Sequence, residues 1–151
     1  MKKERGPNVS SLYLYKLSMV LVMEKRLKDN TILIIEDDDA LRLFASRLLE
    51  LEGYNVLQCG TGNEGFKSLQ ETQVNLLLLD LRLPDTSGWS ILEQIKNTPE
   101  LSEIPVIVFT ASAGRAQRDR ALSLNAADYL TKPVSASDLK DAVARSLKPE
   151  A

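Results

Sequence analysis

The chain has 151 residues, 44% of them apolar and 26% charged, with a formal net charge of −2. That size and composition describe one globular domain and exclude a multi-domain enzyme, while the near-balanced charge and 5% aromatics carry none of the strongly basic signature of a nucleic-acid binder. A single cysteine, Cys59, excludes an internal disulfide and a Cys-rich zinc site and suits a reducing compartment; the absence of histidine removes Ser-His, Cys-His and His-ligated metal chemistry and any internal histidine phosphate carrier.

Residues 1–26 read as an N-terminal extension. A charged start, Met1 to Arg5, and a Gly6-Pro7 break precede an apolar stretch from Leu12 to Met23 that Lys16 interrupts. The unbroken part is too short for a membrane span, which needs roughly 20 apolar residues, and no secretory cleavage site is visible, so a cytoplasmic protein is expected. Tyr13, Leu17, Val20 and Leu21 sit at helical spacing. Two readings stay open: a frayed tail, or an amphipathic helix that docks on a partner or a second copy. Met23 is an alternative start of the chain.

From Thr31 the pattern changes to short apolar runs separated by amphipathic stretches. Strands are expected at Thr31–Ile35, Asn55–Cys59, Asn75–Leu79, Val106–Phe109 and Ala126–Leu130. Within three of them, Ile32 to Ile35, Leu76 to Leu79 and Val106 to Phe109 are apolar at every position, as in strands covered on both faces. Helices are expected between them. The first has Leu41, Phe44, Ala45, Leu48 and Leu51 on one face, Asp38 or Asp39 as N-cap and Gly53 as its stop. Others fall near 62–71, where Gly65 costs about 1 kcal/mol against alanine, and near 88–97 and 114–124; the last uses Leu139, Val143 and Leu147 behind a Ser135 cap. Five strands alternating with five helices imply an α/β, flavodoxin-like, doubly wound (βα)5 fold, with a five-stranded parallel sheet in the order 2-1-3-4-5.

Such a fold gathers the carboxyl ends of its strands at one edge. Strand one is followed by Glu36, Asp37, Asp38 and Asp39, strand three by Asp80, strand four by Thr110 and strand five by Thr131-Lys132-Pro133. Carboxylates about 4 Å apart repel by roughly 4 kcal/mol at an effective dielectric near 20, and a hard divalent cation offsets this. Asp37 and Asp80 are the expected direct Mg²⁺ ligands, with Glu36 acting through water and Asp38 and Asp39 as helix caps. Asp80 is placed to attack phosphorus and form an acyl phosphate, with Lys132 and the Thr110 hydroxyl stabilising the transferring oxygens. Pro133 admits either a cis bond that turns Lys132 inward or a plain turn.

These segments, Ile32 to Asp38, Leu77 to Gly88, Val106 to Ala111 and Ala127 to Pro133, resemble the receiver domain of two-component response regulators. The likeness runs from about Thr31 to Leu147 and implies a receiver domain over 27–151. It implies Mg²⁺-dependent transfer of a phosphoryl group onto Asp80 from a sensor histidine kinase or phosphotransfer protein, with Glu36, Asp37, Asp80 and the Arg82 main-chain carbonyl as the metal set. It implies a regulatory phosphoacceptor that assists its own phosphorylation and dephosphorylation, not an enzyme. Thr110 and Tyr129 would act as the switch, biasing the face built from the fourth receiver helix, the fifth strand and the last helix. Arg82 and Ser112 occupy positions that tune acyl-phosphate hydrolysis, and Arg82 is expected to crowd the attacking water. Asn125 stands where many relatives have glycine.

With the chain ending at Ala151, output is expected through contact with a separate protein and not through direct nucleic-acid binding. A homodimer through the switch face or the extension is one option. Arg115, Arg118 and Arg120 read as a solvated basic face, usable for an acidic partner. A haloacid-dehalogenase-type phosphatase is excluded because Arg82 stands where a second aspartate is needed, a flavodoxin because acidic residues fill the phosphate loop, and a Walker nucleotide binder because that loop is absent. The alternative is a pseudo-receiver scaffold that is never phosphorylated; an intact Glu36, Asp37, Asp80, Thr110 and Lys132 set argues against it.

Overall fold

The structure is a computed structural model that describes residues 9–147, with the backbone alone for residues 24–28. Along the chain lie α1 (Val9–Lys28), β1 (Thr31–Ile35), α2 (Asp39–Leu51), β2 (Asn55–Cys59), α3 (Gly62–Glu71), β3 (Leu76–Leu79), α4 (Gly88–Asn97), β4 (Val106–Thr110), α5 (Arg115–Ser123), β5 (Asp128–Thr131) and α6 (Ala136–Leu147). The five strands form one parallel sheet in the order β2-β1-β3-β4-β5. This is the expected flavodoxin-like topology.

Period-two alternation along the central strands splits the core into two layers. Leu33, Ile35, Leu77, Leu79, Val106 and Val108 face one way, onto Leu69 of α3, Ile91, Leu92 and Ile95 of α4 and Ala121 of α5. Ile32, Ile34, Leu76, Leu78, Ile107 and Phe109 face the other, onto Ala45 and Leu49 of α2 and Leu139, Ala142 and Val143 of α6. Every residue of β3 is inaccessible to solvent. A strand so enclosed holds the main chain of the residue that follows it, Asp80, in one place.

Local signals act as expected at several junctions. Asp38 caps α2 through its side chain onto the Leu41 amide, the Ser135 hydroxyl accepts from the Asp138 amide, and Asn125 takes the left-handed conformation at φ 63°. The Lys132–Pro133 bond is cis. Four strand limits differ from expectation: Asn75 precedes β3, β4 and β5 each run one residue further, to Thr110 and Thr131, and β5 starts at Asp128 because the Ala126 and Ala127 amides close the turn onto Ala121 and Val106 carbonyls.

The expected apolar face of α2 needs correction. Phe44 is 47% and Leu51 85% exposed, whereas Ala45, Ser46 and Leu49 are buried. With Leu at 41, 43, 48, 49 and 51, apolar residues run more than halfway around this helix. Sequence period therefore left open which stripe faces the sheet, and packing against β1 and β2 chose the one centred on Ala45 and Leu49.

Residues 9–23 of the extension are helical, and all are exposed. Leu12, Leu14, Met19 and Val22 stand in solvent alongside Tyr13, Leu17, Val20 and Leu21, so the helix is apolar around its circumference and not amphipathic. Residues 1–8 and 148–151 of the two expected domain spans lie outside the described residues. Among the described residues, no helix is long and apolar enough to cross a membrane.

Gly65 lies inside α3, where helix propensity disfavours it, and the packing supplies the reason: a Cβ there would lie 2.2 Å from Cδ1 and 2.5 Å from Cγ1 of Ile35. The helix approaches β1 too closely for a side chain. Gly65→Ala is expected to destabilise the domain by about 1–3 kcal/mol despite its better helix propensity, as overpacking does, and urea unfolding with an unchanged m-value would measure it.

Candidate functional site

Strand register builds the site. Ile35 pairs with Leu79, so the next residues, Glu36 and Asp80, leave neighbouring strands side by side, and Thr110 pairs with Thr131, which sets Lys132 beside them. Main-chain bonds extend the ladders by one step: the Glu36 amide donates to Cys59, the Asp80 amide to Ile35 and the Lys132 amide to Thr110. Three side chains are thus fixed by backbone the sheet already holds.

Glu36, Asp37 and Asp80 each offer a carboxylate oxygen, all within 4.8 Å of one another. Glu36 and Asp80 are 1% and 4% exposed, and Asp37 stands in solvent. Lys132 Nζ lies 2.6 Å from Glu36 Oε2 and 3.2 Å from Asp80 Oδ2, and 4.9 Å from the centre of the Phe109 ring. One ammonium against three carboxylates leaves the cluster two charges short of neutral. Desolvation by burial, reinforced by the Asp80 charge, raises the Glu36 pKa to about 6 against the opposing hydrogen bond from Lys132.

Main-chain donors complete the arrangement. The Asp38 amide donates to Glu36 Oε1 at 3.1 Å and the Arg82 amide to Asp80 Oδ1 at 3.3 Å. Glu36, Asp37, Asp38, Leu41, Asp80, Arg82, Ala111 and Lys132 line one open cleft. A compact trio of oxygen donors with a residual negative charge suits a small hard cation such as Mg²⁺, and the single ammonium leaves room for that added charge.

Thr110 and Tyr129 do not point into the cleft. Thr110 is fully buried, and its hydroxyl accepts from the Ser112 amide at 3.4 Å; the buried Tyr129 hydroxyl donates to the Ser112 carbonyl at 2.5 Å. Both expected switch residues therefore hold the main chain of Ser112, one on each side of its Cα, on the loop that leaves β4. Burial raises the Tyr129 pKa. The three arginines of α5 do not form one basic face: Arg115 pairs with Asp119, Arg120 turns to Trp89 and Glu93, and Arg118 lines a groove with Asp128, Asp138, Asp141 and Arg145.

Two residues near the site escaped the sequence reading. Arg42 Nη1 donates to the Glu36 carbonyl at 2.7 Å while Nη2 pairs with Asp39 at 2.6 Å, pinning the acidic turn. Its i, i+3 spacing from Asp39 was visible; the reach to a carbonyl six residues back was not. Asp85 accepts from the Gly62 and Asn63 amides, both at 2.8 Å, tying the loop after β3 to the start of α3. Those two bonds lower its pKa. Gly88 seals the same loop, since a Cβ there would lie 2.3 Å from the Asp80 carbonyl oxygen.

The same residues meet a family model. Residues 32–144 match the response regulator receiver domain. The chain belongs to that family. Among curated relatives of this receiver domain, the phosphate regulon transcriptional regulatory protein PhoB of Rhizobium meliloti is 36% identical over 122 residues, covering 79% of this chain and 54% of that protein. CpxR of Escherichia coli K12, a transcriptional regulatory protein, is 36% identical over 110 residues, covering 73% of this chain and 46% of that protein. The chain thus spans about half the length of these relatives. Among solved structures, the HemR receiver domain of Leptospira biflexa has a TM-score of 0.75 at 29% identity, covering 82% of this chain and 98% of that one. A CheY-like receiver domain from Methanospirillum hungatei has a TM-score of 0.73 at 31% identity, covering 78% and 93%.

Like charges confined within 4.8 Å repel by on the order of 3 kcal/mol per pair at an effective dielectric near 20, less where water reaches them. Asp37→Asn is therefore expected to raise the melting temperature of the receiver domain in chelator-containing buffer by roughly 2–4 °C, and to lose that advantage when Mg²⁺ is added. Differential scanning calorimetry with and without Mg²⁺ checks both halves.

Proposed function

We propose that this receiver domain takes a phosphoryl group from a histidine kinase or phosphotransfer protein onto Asp80, in a Mg²⁺-dependent reaction, and passes the signal to a separate protein by contact. The observation that supports this reading is the Asp80 carboxylate held beside Glu36 and Asp37, with Lys132 Nζ 3.2 Å away. An Asp80 oxygen attacks phosphorus, forming an O–P bond as the P–N bond to the donor histidine breaks; the imidazole leaves with that electron pair. The external donor agrees with a chain that has no histidine of its own.

Each neighbour has a role at a stated atom. Glu36, Asp37, Asp80 and the Arg82 carbonyl would hold the cation, which supplies positive charge to the phosphoryl oxygens when bound. Lys132 supplies a second positive charge on a flexible stem, and Arg82, one of the residues lining the cleft, narrows the approach of hydrolytic water. Thr110 leaves the Ser112 amide to donate its hydroxyl to a phosphoryl oxygen, drawn by the charge of roughly −1.5 to −2 that phosphorylation adds. Because Tyr129 holds the carbonyl of the same residue, Ser112, that movement changes the face formed by α5, β5 and α6. The domain is on this reading a regulatory phosphoacceptor that promotes its own phosphorylation and dephosphorylation, not an enzyme acting on other substrates. A cytoplasmic location, where donor kinases present their phosphohistidine, belongs to the same proposal.

Incubation with acetyl phosphate and Mg²⁺ is expected to give a phosphoryl adduct by intact-mass spectrometry that EDTA and Asp80→Asn each abolish. A wild-type protein that stays unmodified would support the scaffold reading instead. In the same assay Arg82→Asn is expected to shorten the lifetime of the adduct several-fold; an unchanged decay rate sinks the water-crowding role.

Acidity gives an independent check. Glu36 has its pKa raised to about 6, so its carboxylate takes up a proton as pH falls through that value, and a protonated carboxyl neither repels its neighbours nor supports a cation. Mg²⁺ affinity is expected to be level above pH 7 and to fall about tenfold per pH unit well below 6. The sign for stability is opposite: the folded domain binds this proton more tightly than the unfolded chain, so in the absence of metal the Glu36 contribution improves as pH falls from 7 toward 4.5. Isothermal titration calorimetry across pH 5–8 checks the first statement; an affinity that does not change removes Glu36 from the metal set.

A further inference from the structure

Helix α5 has little to hold it in place. Of its nine residues Ala121 is the one that is buried, its N-cap Gly114 provides no side-chain acceptor, and its first turn carries Arg115 and no acidic residue. A positive side chain there opposes the partial positive charge of the helix N-terminus. The Arg115–Asp119 pair spans 3.9 Å with both side chains mostly in solvent, which adds little. Leu122 is 43% exposed.

One lateral contact stands out against this background. The Arg120 guanidinium carbon lies 4.2 Å from the centre of the Trp89 ring, and Arg120 Nη2 lies 3.8 Å from Glu93 Oε1. Trp89 and Glu93 are one helical turn apart on α4, so ring and carboxylate share a face and receive the same guanidinium. A planar cation stacks on the ring and reaches the carboxylate at once, which a lysine ammonium does less well.

Both sides of this contact lead back to the phosphoacceptor. Trp89 follows Gly88, whose amide donates to the Leu81 carbonyl and whose Cα lies against the Asp80 main chain. Arg120 belongs to the helix that follows the Thr110–Ser112 loop, where Thr110 and Tyr129 meet. The contact therefore bridges the chain leaving Asp80 and the chain leaving Thr110.

We propose that Trp89, Arg120 and Glu93 form a clasp between α4 and α5 that sets how readily α5 moves, with Arg120 a positioning residue for the output face. The regulatory part of this inference rests on the phosphoacceptor reading above; the clasp itself does not. An exposed cation–π contact shifts an equilibrium about two- to fivefold. That is small for the whole fold but large for local opening of a helix with one buried residue.

Amide hydrogen exchange on the unmodified protein tests the clasp alone. Arg120→Ala is expected to speed exchange across α5 about two- to fivefold, Arg120→Lys to restore part of the protection, and Arg115→Ala to leave it near wild type. Equal exchange in Arg120→Ala and wild type overturns the clasp, and so does an equal loss in Arg115→Ala, which would mean that any lost arginine loosens this helix. Trp89 is the only tryptophan and reports the regulatory part directly. With acetyl phosphate and Mg²⁺, wild-type emission is expected to change and the change to be largely lost in Arg120→Ala. An adduct seen by mass without any change in Trp89 emission overturns the link to α5 movement. A missing adduct in the wild type overturns the phosphoacceptor reading instead, and with it the regulatory role, and leaves the exchange result standing.

Discussion

The Lys132 ammonium lies between two carboxylates that come from chain segments far apart, Glu36 after β1 and Asp80 after β3. Without it, two buried carboxylates would meet beside the exposed Asp37 with only main-chain amides to offset them. With it, the cluster still carries excess negative charge, and that deficit gives the site its character: the residues are stable enough to fold around and unsatisfied enough to attract a cation. The raised Glu36 pKa expresses the same balance, since burial outweighs the lysine.

The sheet can impose this because its central strand is enclosed on both faces. Four leucines hold β3 in register with β1 and β4, so the Asp80 main chain has almost no freedom, and two main-chain donors orient the acidic side chains. Support spreads outward from there. Arg42 pins the acidic turn, Asp85 ties the following loop to α3, and Gly88 lets α4 begin directly against the Asp80 carbonyl. A rigid centre is thus surrounded by connections that loosen with distance, down to α5, which is mostly polar and lightly anchored. That gradient suits a domain in which chemistry at one strand end must alter a surface some way off.

The contacts proposed to couple site and surface are ordinary bonds. Ser112 donates its amide to the Thr110 hydroxyl and accepts the Tyr129 hydroxyl on its carbonyl, so two successive peptide groups that meet at one Cα are each held by one of these residues. Across the helix pair, the Trp89–Arg120–Glu93 contact acts on the same helix from its other side. Neither requires a long chain of contacts between site and surface.

By itself the sequence determined the class of fold and the ingredients of the site. Short uniformly apolar runs bounded by turn residues fit enclosed strands, their alternation with helices implies parallel crossovers, and the polar residues ending the runs then gather at one edge; Glu36, Asp37, Asp80 and Lys132 were legible for that reason, as were a cap at Asp38 or Asp39 and the Asn125 turn. Tertiary structure alone decided which stripe of α2 turns inward, since leucines there outnumber the positions one face can hold, and whether Gly65 is a defect or a close approach. It alone decided that the Thr110 hydroxyl faces Ser112 and that the Arg120 guanidinium lies over Trp89. Periodicity reports which residues share a face, but the rotamer and partner of a long polar side chain depend on neighbours brought from elsewhere in the chain, and those distances exist only once the sheet has closed.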